Sequence, residues 1–119
     1  MMFFFGMDTK EHRPLSLHIS CPEEGLSFWG MTRDIASREL CMEVPTARIK
    51  TSLMGFINKD VIMRFENVTI DGCISWYTIE GDYYLISIAV NKRCRSAWKE
   101  FMAVSDRVAL QSRVHQPAS

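Results

Sequence analysis

The sequence has no excess of charge of either sign, because its 14 Lys and Arg residues are balanced by 14 Asp and Glu residues. Proteins that bind nucleic acid nonspecifically need a cationic surface that releases counterions, and this composition supplies none. There is also no run that approaches the roughly 20 apolar residues of a membrane-spanning helix. These absences predict a cytoplasmic protein without membrane insertion, and they disfavour nucleic acid as its partner.

Cysteine pairs and catalytic motifs are missing as well. The chain contains the cysteines Cys21, Cys41, Cys73 and Cys94, and no two of them form a Cys-x-x-Cys pair. A thiolate zinc site and a thioredoxin-like motif therefore have no support, and we expect reduced, structural thiols. The histidines are scattered, and no Gly-x-Ser-x-Gly, His-Glu-x-x-His or phosphate-loop pattern occurs. We expect no enzymatic activity, no metal and no required cofactor.

The chain does contain repeated apolar alternation, within a composition that is 47% hydrophobic and 24% charged and is typical of one globular domain. Alternation with period two predicts strands at residues 15–20, 26–35, 40–44, 61–66, 68–76 and 84–90. The last three are joined by short polar loops, as hairpins require. The pattern predicts an all-β fold, either an antiparallel barrel or a sandwich.

The apolar period changes near the end of the chain. From Ser96 onward, the spacing of Trp98, Phe101 and Met102 predicts a helix with one apolar face, which could cover the mouth of a barrel. The stretch from Thr46 to Asn58 has no clean period, and we expect an irregular connection there.

The most specific motif lies where the second and third predicted strands meet, at residues 33–39. This corner resembles the Asp-x-Ser-x-x-Gly corner of PilZ domains, small β-barrels that bind the bacterial messenger cyclic di-GMP. Asp34 matches the Asp, Ala36 stands at the Ser position and Glu39 at the Gly position. The element order resembles PilZ over nearly the whole chain. The resemblance implies an all-β fold, a six-stranded antiparallel PilZ-like β-barrel with a C-terminal α-helix.

A second PilZ motif, Arg-x-x-x-Arg, precedes the first strand of that family. Arg13 matches its second Arg, whereas Thr9 stands at the first, beside Lys10. A lysine does not reproduce the planar fork of arginine, and Glu39 brings a carboxylate and a Cβ to a place where glycine allows close approach or positive φ. The resemblance therefore implies a degenerate cyclic di-GMP site built from Lys10, Arg13, Arg33, Asp34, Ser37 and Arg38.

These observations predict a single-domain PilZ-type regulatory protein of bacterial cyclic di-GMP signalling, whose nucleotide site is weakened or lost. It would act through protein–protein interaction, with partners in a motility, pilus or signalling system. One alternative is a genuine cyclic di-GMP receptor with an unusual corner. A second alternative, from another functional class, is a nucleic-acid-binding β-barrel.

We expect the PilZ-like domain at residues 10–104, the helix end and a tail at 105–119, and an N-terminal extension at 1–9, for which disorder is one expectation. The extension opens with an apolar segment, Met1 to Met7, that has neither a positive n-region nor a cleavage site. Two interpretations stay open. The Phe triplet either lies upstream of a natural start at Met7 or forms an apolar arm that docks on a partner.

Two surface clusters also have open interpretations. The basic cluster Lys92, Arg93, Arg95 and Lys99 is either an anion or acidic-partner patch or a solvated loop. In the aromatic pairs Trp76/Tyr77 and Tyr83/Tyr84, one ring must point outward, because neighbouring strand residues lie on opposite faces. An outward ring could contact a partner protein or, in the nucleic-acid alternative, stack on a base.

Overall fold

The computed structural model describes residues 11–104, in which the alternating segments form antiparallel strands. The strands are β1 (Glu11–His12), β2 (Ser16–Cys21), β3 (Leu26–Ile35), β4 (Glu39–Pro45), β5 (Asp60–Arg64), β6 (Thr69–Glu80) and β7 (Tyr83–Val90). A helix, α1, covers residues 95–104 of this described part. The expected extension at 1–9, Lys10 and the tail at 105–119 lie outside the described residues.

Six of the strands close into a barrel. Neighbouring strands follow the order β3-β2-β5-β6-β7-β4. Because β4 also pairs with β3, these six strands form a closed ring. The predicted six-stranded antiparallel barrel with a C-terminal helix is confirmed. The two-residue strand β1 was not predicted from the sequence. It pairs with the end of β3 and brings His12 opposite Asp34.

The core follows the inward half of each alternating pattern. Among its fully buried side chains are Leu17, Ile19, Met42, Met63, Ile70, Ile74, Ile86, Ile88 and Trp98. The connection between β4 and β5 is irregular as predicted, with short 3-10 turns at Thr46–Arg48 and Leu53–Phe56. It is nevertheless part of the core, because Ile49, Leu53 and Phe56 are buried against the other apolar side chains.

The helix α1 lies over the barrel with its apolar face inward. Trp98 is 0% exposed, and its ring lies 5.6 Å from the ring of Phe65, which follows β5. Phe101 packs on the same ring at 4.7 Å. Within the described part of the chain, no helix has the length and apolarity to cross a membrane. The packing of Trp98 and Phe101 on Phe65 holds the helix on the barrel, because aromatic side chains bury the largest apolar areas in a core.

The outward aromatic rings lie where strand geometry requires them. Trp76 and Tyr83 are 54% and 44% exposed, whereas Tyr77 and Tyr84 are partly buried against the core. A third aromatic side chain, Trp29 on the outer face of β3, is also 54% exposed. These rings leave apolar area on the surface that nothing in the described chain covers.

Close backbone approach explains a glycine in the middle of β3. A Cβ on Gly30 would lie 2.8 Å from the Glu43 carbonyl oxygen and 2.5 Å from Cε of Met42. The β-bulge of this strand lies elsewhere, between Thr32 and Asp34. Gly30 therefore serves the packing of β3 against β4.

We expect Gly30→Ala to lower the free energy of unfolding by about 1–3 kcal/mol, the usual cost of forcing extra volume into a packed site. Urea denaturation measures the effect. Gly55→Ala is the matched control, because a Cβ at that position meets nothing within 4 Å. Equal stability of the two variants would contradict the packing argument.

His18 lies on the outer side of β2 in a partly desolvated position. Its Nε2 atom is 2.7 Å from Oγ of Ser27, and its ring lies 5.0 Å from that of Trp29. Its Nδ1 is buried and has no hydrogen-bond partner among the described residues. Burial, and secondly the charge of Arg64, lower the pKa of His18 below its usual value.

This lowered pKa predicts a pH-dependent loss of stability. Below the ordinary histidine pKa of about 6.5, the unfolded chain binds a proton that the folded chain does not take up, so stability present above this pH falls as the pH drops. His18→Gln should remove that part of the dependence. Urea denaturation of both proteins at several pH values between neutrality and mild acid measures it. Parallel stability curves would contradict the assignment.

Candidate functional site

The corner between β3 and β4 is a tight hairpin. The Ala36 N–H donates to the Glu39 carbonyl at 2.9 Å, and the Val90 N–H donates to the Arg38 carbonyl at 2.9 Å. Apart from glycine, Asn58 is the one described residue with a positive φ. The corner thus turns without the left-handed conformation that glycine favours, and Glu39 enters β4 unstrained, with its side chain exposed.

A buried threonine fastens the Arg13 segment to this corner. The Thr32 hydroxyl accepts from the Leu15 N–H at 2.7 Å and donates to the Arg13 carbonyl. The Thr32 N–H in turn donates to the Leu15 carbonyl at 2.8 Å. Thr32 is 3% exposed, so these three bonds are shielded from water. They set the position of Arg13 relative to β3.

The guanidinium of Arg13 is already engaged within the chain. Its Nη1 donates to the Met102 carbonyl at 2.9 Å, and its Nη2 pairs with the Glu11 carboxylate. Only 13% of the side chain is exposed. The arginine that matches the PilZ motif therefore connects β1 to α1.

The helix makes a second direct bond to the corner. The indole N–H of Trp98 donates to the Ala36 carbonyl at 2.7 Å, in a buried environment. Trp98 and Met102 are four residues apart and so lie on the same side of α1. Together they place one side of the helix against the corner and the Arg13 segment.

The other predicted site residues point in different directions. Asp34 is 3.8 Å from Nδ1 of His12, and its side chain is 35% exposed. Arg33, at the bulge, instead approaches Glu43 at 3.8 Å and Glu80 at 3.4 Å. Both of these acidic residues lie away from the corner, toward the β6–β7 turn.

The corner offers little enclosed space. A cavity of about 20 Å³ is lined by Asp34, Ile35, Ala36, Glu39, Leu40, Cys41 and Ser87. This volume holds roughly one water molecule, whereas sites for small-molecule ligands usually measure about 300–1,000 Å³. Arg38 is exposed beside it and Ser37 is partly buried. A dinucleotide at this corner would lie on the surface.

A larger groove has the wrong charge for an anionic ligand. It measures about 430 Å³ and is lined in part by Glu23, Asp60, Asp71 and Arg93. The Arg93 guanidinium is already paired with Asp71 at 2.9 Å, and this bond raises its pKa further. The carboxylates outnumber the cation, so this groove does not suit phosphates.

The structure thus brings Arg13, Asp34, Ser37 and Arg38 to the same end of the barrel and directs Arg33 elsewhere; Lys10 lies outside the described residues. Sequence reasoning missed two residues that organise this end. Thr32 occupies an inward position of β3. The only sign of its role in the sequence is that it is a polar residue among inward apolar ones. The Trp98 indole N–H was hidden within an apolar helical pattern.

No family model matches the sequence, and no curated protein does either. Several solved structures are nevertheless similar in fold. MrkH from K. pneumonia, in complex with c-di-GMP, is 11% identical and aligns with a TM-score of 0.65 over 92% of this chain and 54% of its own. MrkH in its apo state is 15% identical, with a TM-score of 0.58 over 88% of this chain and 51% of its own.

The Bacillus subtilis inhibitor of motility, MotI/DgrA, is 6% identical and aligns with a TM-score of 0.56 over 83% of this chain and 49% of its own. The chain thus spans about half the length of each similar protein. At such low identities the likeness shows the fold, and the predicted PilZ-like domain is confirmed at that level.

We expect Thr32→Val to lower the free energy of unfolding by about 1–3 kcal/mol, because it leaves the Leu15 N–H and the Arg13 carbonyl without their hydroxyl partner. The loss should be accompanied by faster amide exchange at Leu15. Thr32→Ser, which keeps the hydroxyl, is the matched control. Stability of Thr32→Val at or above that of Thr32→Ser would show that the hydroxyl does not hold this segment.

Proposed function

We propose that the chain is a PilZ-type regulatory domain of bacterial cyclic di-GMP signalling that acts by contact with a partner protein. In this proposal its nucleotide site is weakened or lost, and its role is binding without catalysis. The fold it shares with a c-di-GMP complex of MrkH and with an inhibitor of motility supports this class of function. The partner would belong to a motility, pilus or signalling system.

The observation that carries the proposal is the engagement of Arg13. A phosphate or a guanine edge is bound best by the planar fork of an arginine. Here that fork is occupied by the Met102 carbonyl and the Glu11 carboxylate. A ligand would have to replace both partners, and the freed Glu11 would then repel its phosphates. This competition supports weak binding or none.

The charges around the corner act in the same direction. Asp34 is partly exposed and Glu39 exposed, so two carboxylates lie at the place where phosphates would approach. Like charges about 4 Å apart repel by about 1–4 kcal/mol at effective dielectrics of 80 to 20. A penalty of about 1.4 kcal/mol weakens binding tenfold. The exposed Arg38 offsets only part of this repulsion.

Contact with a protein needs a surface that can lose water, and the outer face of β3 offers one. Trp29 and Met31 are 54% and 45% exposed, two residues apart on the same face of the strand. Aromatic and methionine side chains are enriched at protein interfaces. This face supports a role as an adaptor.

A receptor with an unusual corner is the second candidate, and the exposure of Arg38 and Asp34 favours it. Both side chains remain accessible beside the hairpin, and Ser37 lies between the corner alanine and Arg38. In that case the helix end would release Arg13 when the nucleotide binds. The nucleic-acid alternative lacks the net positive charge that would support it, since the net charge is +0.

Isothermal titration calorimetry with cyclic di-GMP tests the proposal. We expect no heat of binding up to about millimolar ligand, which corresponds to a binding free energy weaker than about −4 kcal/mol. The double variant Thr9→Arg with Glu39→Gly restores the missing arginine and removes a carboxylate. It should bind more tightly than the natural sequence.

A micromolar constant for the natural sequence that is abolished by Arg13→Ala would contradict a lost site and establish the receptor. Arg33→Ala is the matched control, because that arginine pairs with Glu43 and Glu80 away from the corner. Clear, salt-sensitive binding of single-stranded DNA would instead favour the nucleic-acid alternative.

A further inference from the structure

The outer half of β6 has a free edge. Strand β5 pairs with β6 as far as Cys73. The backbone of the next residue, Ile74, is hydrogen-bonded to the loop that precedes β5. There the Asn58 N–H donates to the Ile74 carbonyl at 2.6 Å, and the Ile74 N–H donates to the Lys59 carbonyl at 3.2 Å. Beyond the irregular pairing at Ser75, residues 76–80 pair with β7 alone.

The hairpin turn determines which backbone groups face outward. Gly81, with φ 63°, and Asp82 form a two-residue loop between the paired residues Glu80 and Tyr83. In such a hairpin the flanking pair is hydrogen-bonded, and bonded pairs then alternate along the ladder. The N–H and C=O groups of Tyr77 and Ile79 therefore point away from β7. They have no backbone partner among the described residues.

This free edge lacks the usual protection against pairing. Natural edge strands carry Lys, Pro or inward charges that prevent another strand from adding. Residues 76–79 read Trp-Tyr-Thr-Ile and contain none of these. Trp76 and Ile79 are 54% and 61% exposed beside the open backbone groups. The segment combines backbone groups that no other strand pairs with and apolar side chains that water solvates poorly.

We propose that this edge pairs with the same edge of a second copy of the chain, in antiparallel orientation about a two-fold axis at Thr78. Tyr77 of each copy then lies opposite Ile79 of the other, and each such pair exchanges two hydrogen bonds. The outward groups of residues 77 and 79 are all satisfied in this register. The dimer extends two barrels into one continuous sheet.

The limits of the free edge fit this occupant. In this register Glu80 of one copy lies opposite Trp76 of the other. The β6–β7 turn of each copy therefore lies beside residues 58–59 of the other, where the free edge ends. The carboxylate of Asp82 then approaches Lys59, whose side chain is 47% exposed and also pairs with Glu24, while Glu80 keeps its pairing with Arg33. No two like charges lie opposite each other within residues 76–80.

The patch is small compared with the roughly 1,200–2,000 Å² that stable interfaces bury, so the dimer should be weak and depend on concentration. Sedimentation velocity from about 10 µM to 1 mM covers the range expected for such a contact. We expect a monomer–dimer equilibrium for the natural sequence. A chain that stays monomeric throughout overturns the proposal and leaves a strand of another protein as the occupant of the edge.

Charge exchange at the axis tests the register. Thr78→Lys and Thr78→Glu each place two like charges directly opposite each other, which destabilises a strand pair. Each variant alone should weaken the dimer tenfold or more, and an equimolar mixture should restore it as a heterodimer. A dimer that is unaffected by either variant, or a mixture that associates no better than its components, overturns the proposed pairing.

A proline variant tests the backbone contact separately from the side chains. Ile79→Pro removes an outward N–H but leaves the bonds between β6 and β7 in place, whereas Ile79→Ala removes apolar area and keeps the N–H. Ile79→Pro should abolish the dimer, and Ile79→Ala should only weaken it. Thermal unfolding by circular dichroism confirms that each variant folds. Undiminished dimerisation of a folded Ile79→Pro overturns the proposal.

Discussion

The buried hydrogen bond from the Trp98 indole N–H to the Ala36 carbonyl joins two parts of the chain that are distant in sequence. It connects α1 to the β3–β4 corner across 62 residues at 2.7 Å. A buried carbonyl is costly to leave without a donor, so the position of the helix and the shape of the corner depend on each other. The bond between Arg13 and Met102, which are 89 residues apart in sequence, then connects the Arg13 segment to the same helix.

This arrangement gives structural roles to two arginines that the sequence predicted as nucleotide ligands. Arg13 holds the helix, and Arg33 links β3 to acidic residues of β4 and β6. The same chemistry that would recognise a phosphate therefore stabilises the folded chain. In the proposed function, such a site loses its ligand and keeps its shape.

The sequence predicted most of the fold, because strand alternation reports burial directly. Five predicted strands agree with the observed ones within about two residues; β6 extends further, to Glu80. The two-residue strand β1 could not be predicted, because it is polar and is held by pairing with β3. A strand this short has no period of its own.

The site was less predictable, because its contacts are long-range. The corner residues could be found by resemblance, but the partner of Arg33 at Glu80 lies 47 residues away, and no local pattern indicates it. The role of Thr32 depends on two backbone groups of the Arg13 segment. The resemblance led us to expect a close approach or a positive φ at position 39, where glycine is favoured. The turn instead closes without a positive φ at any of its residues. Residue identity alone does not reveal how a hairpin turns.

The Trp98 indole N–H reports directly on whether α1 stays hydrogen-bonded to the β3–β4 corner. In a ¹H–¹⁵N correlation spectrum it should be the indole resonance most protected from hydrogen exchange, since Trp29 and Trp76 are each 54% exposed. Cyclic di-GMP added to about millimolar concentration should leave its position and its protection unchanged. A saturable shift of this resonance, together with a loss of protection, would contradict the account, because it would mean that the nucleotide displaces the helix from the corner.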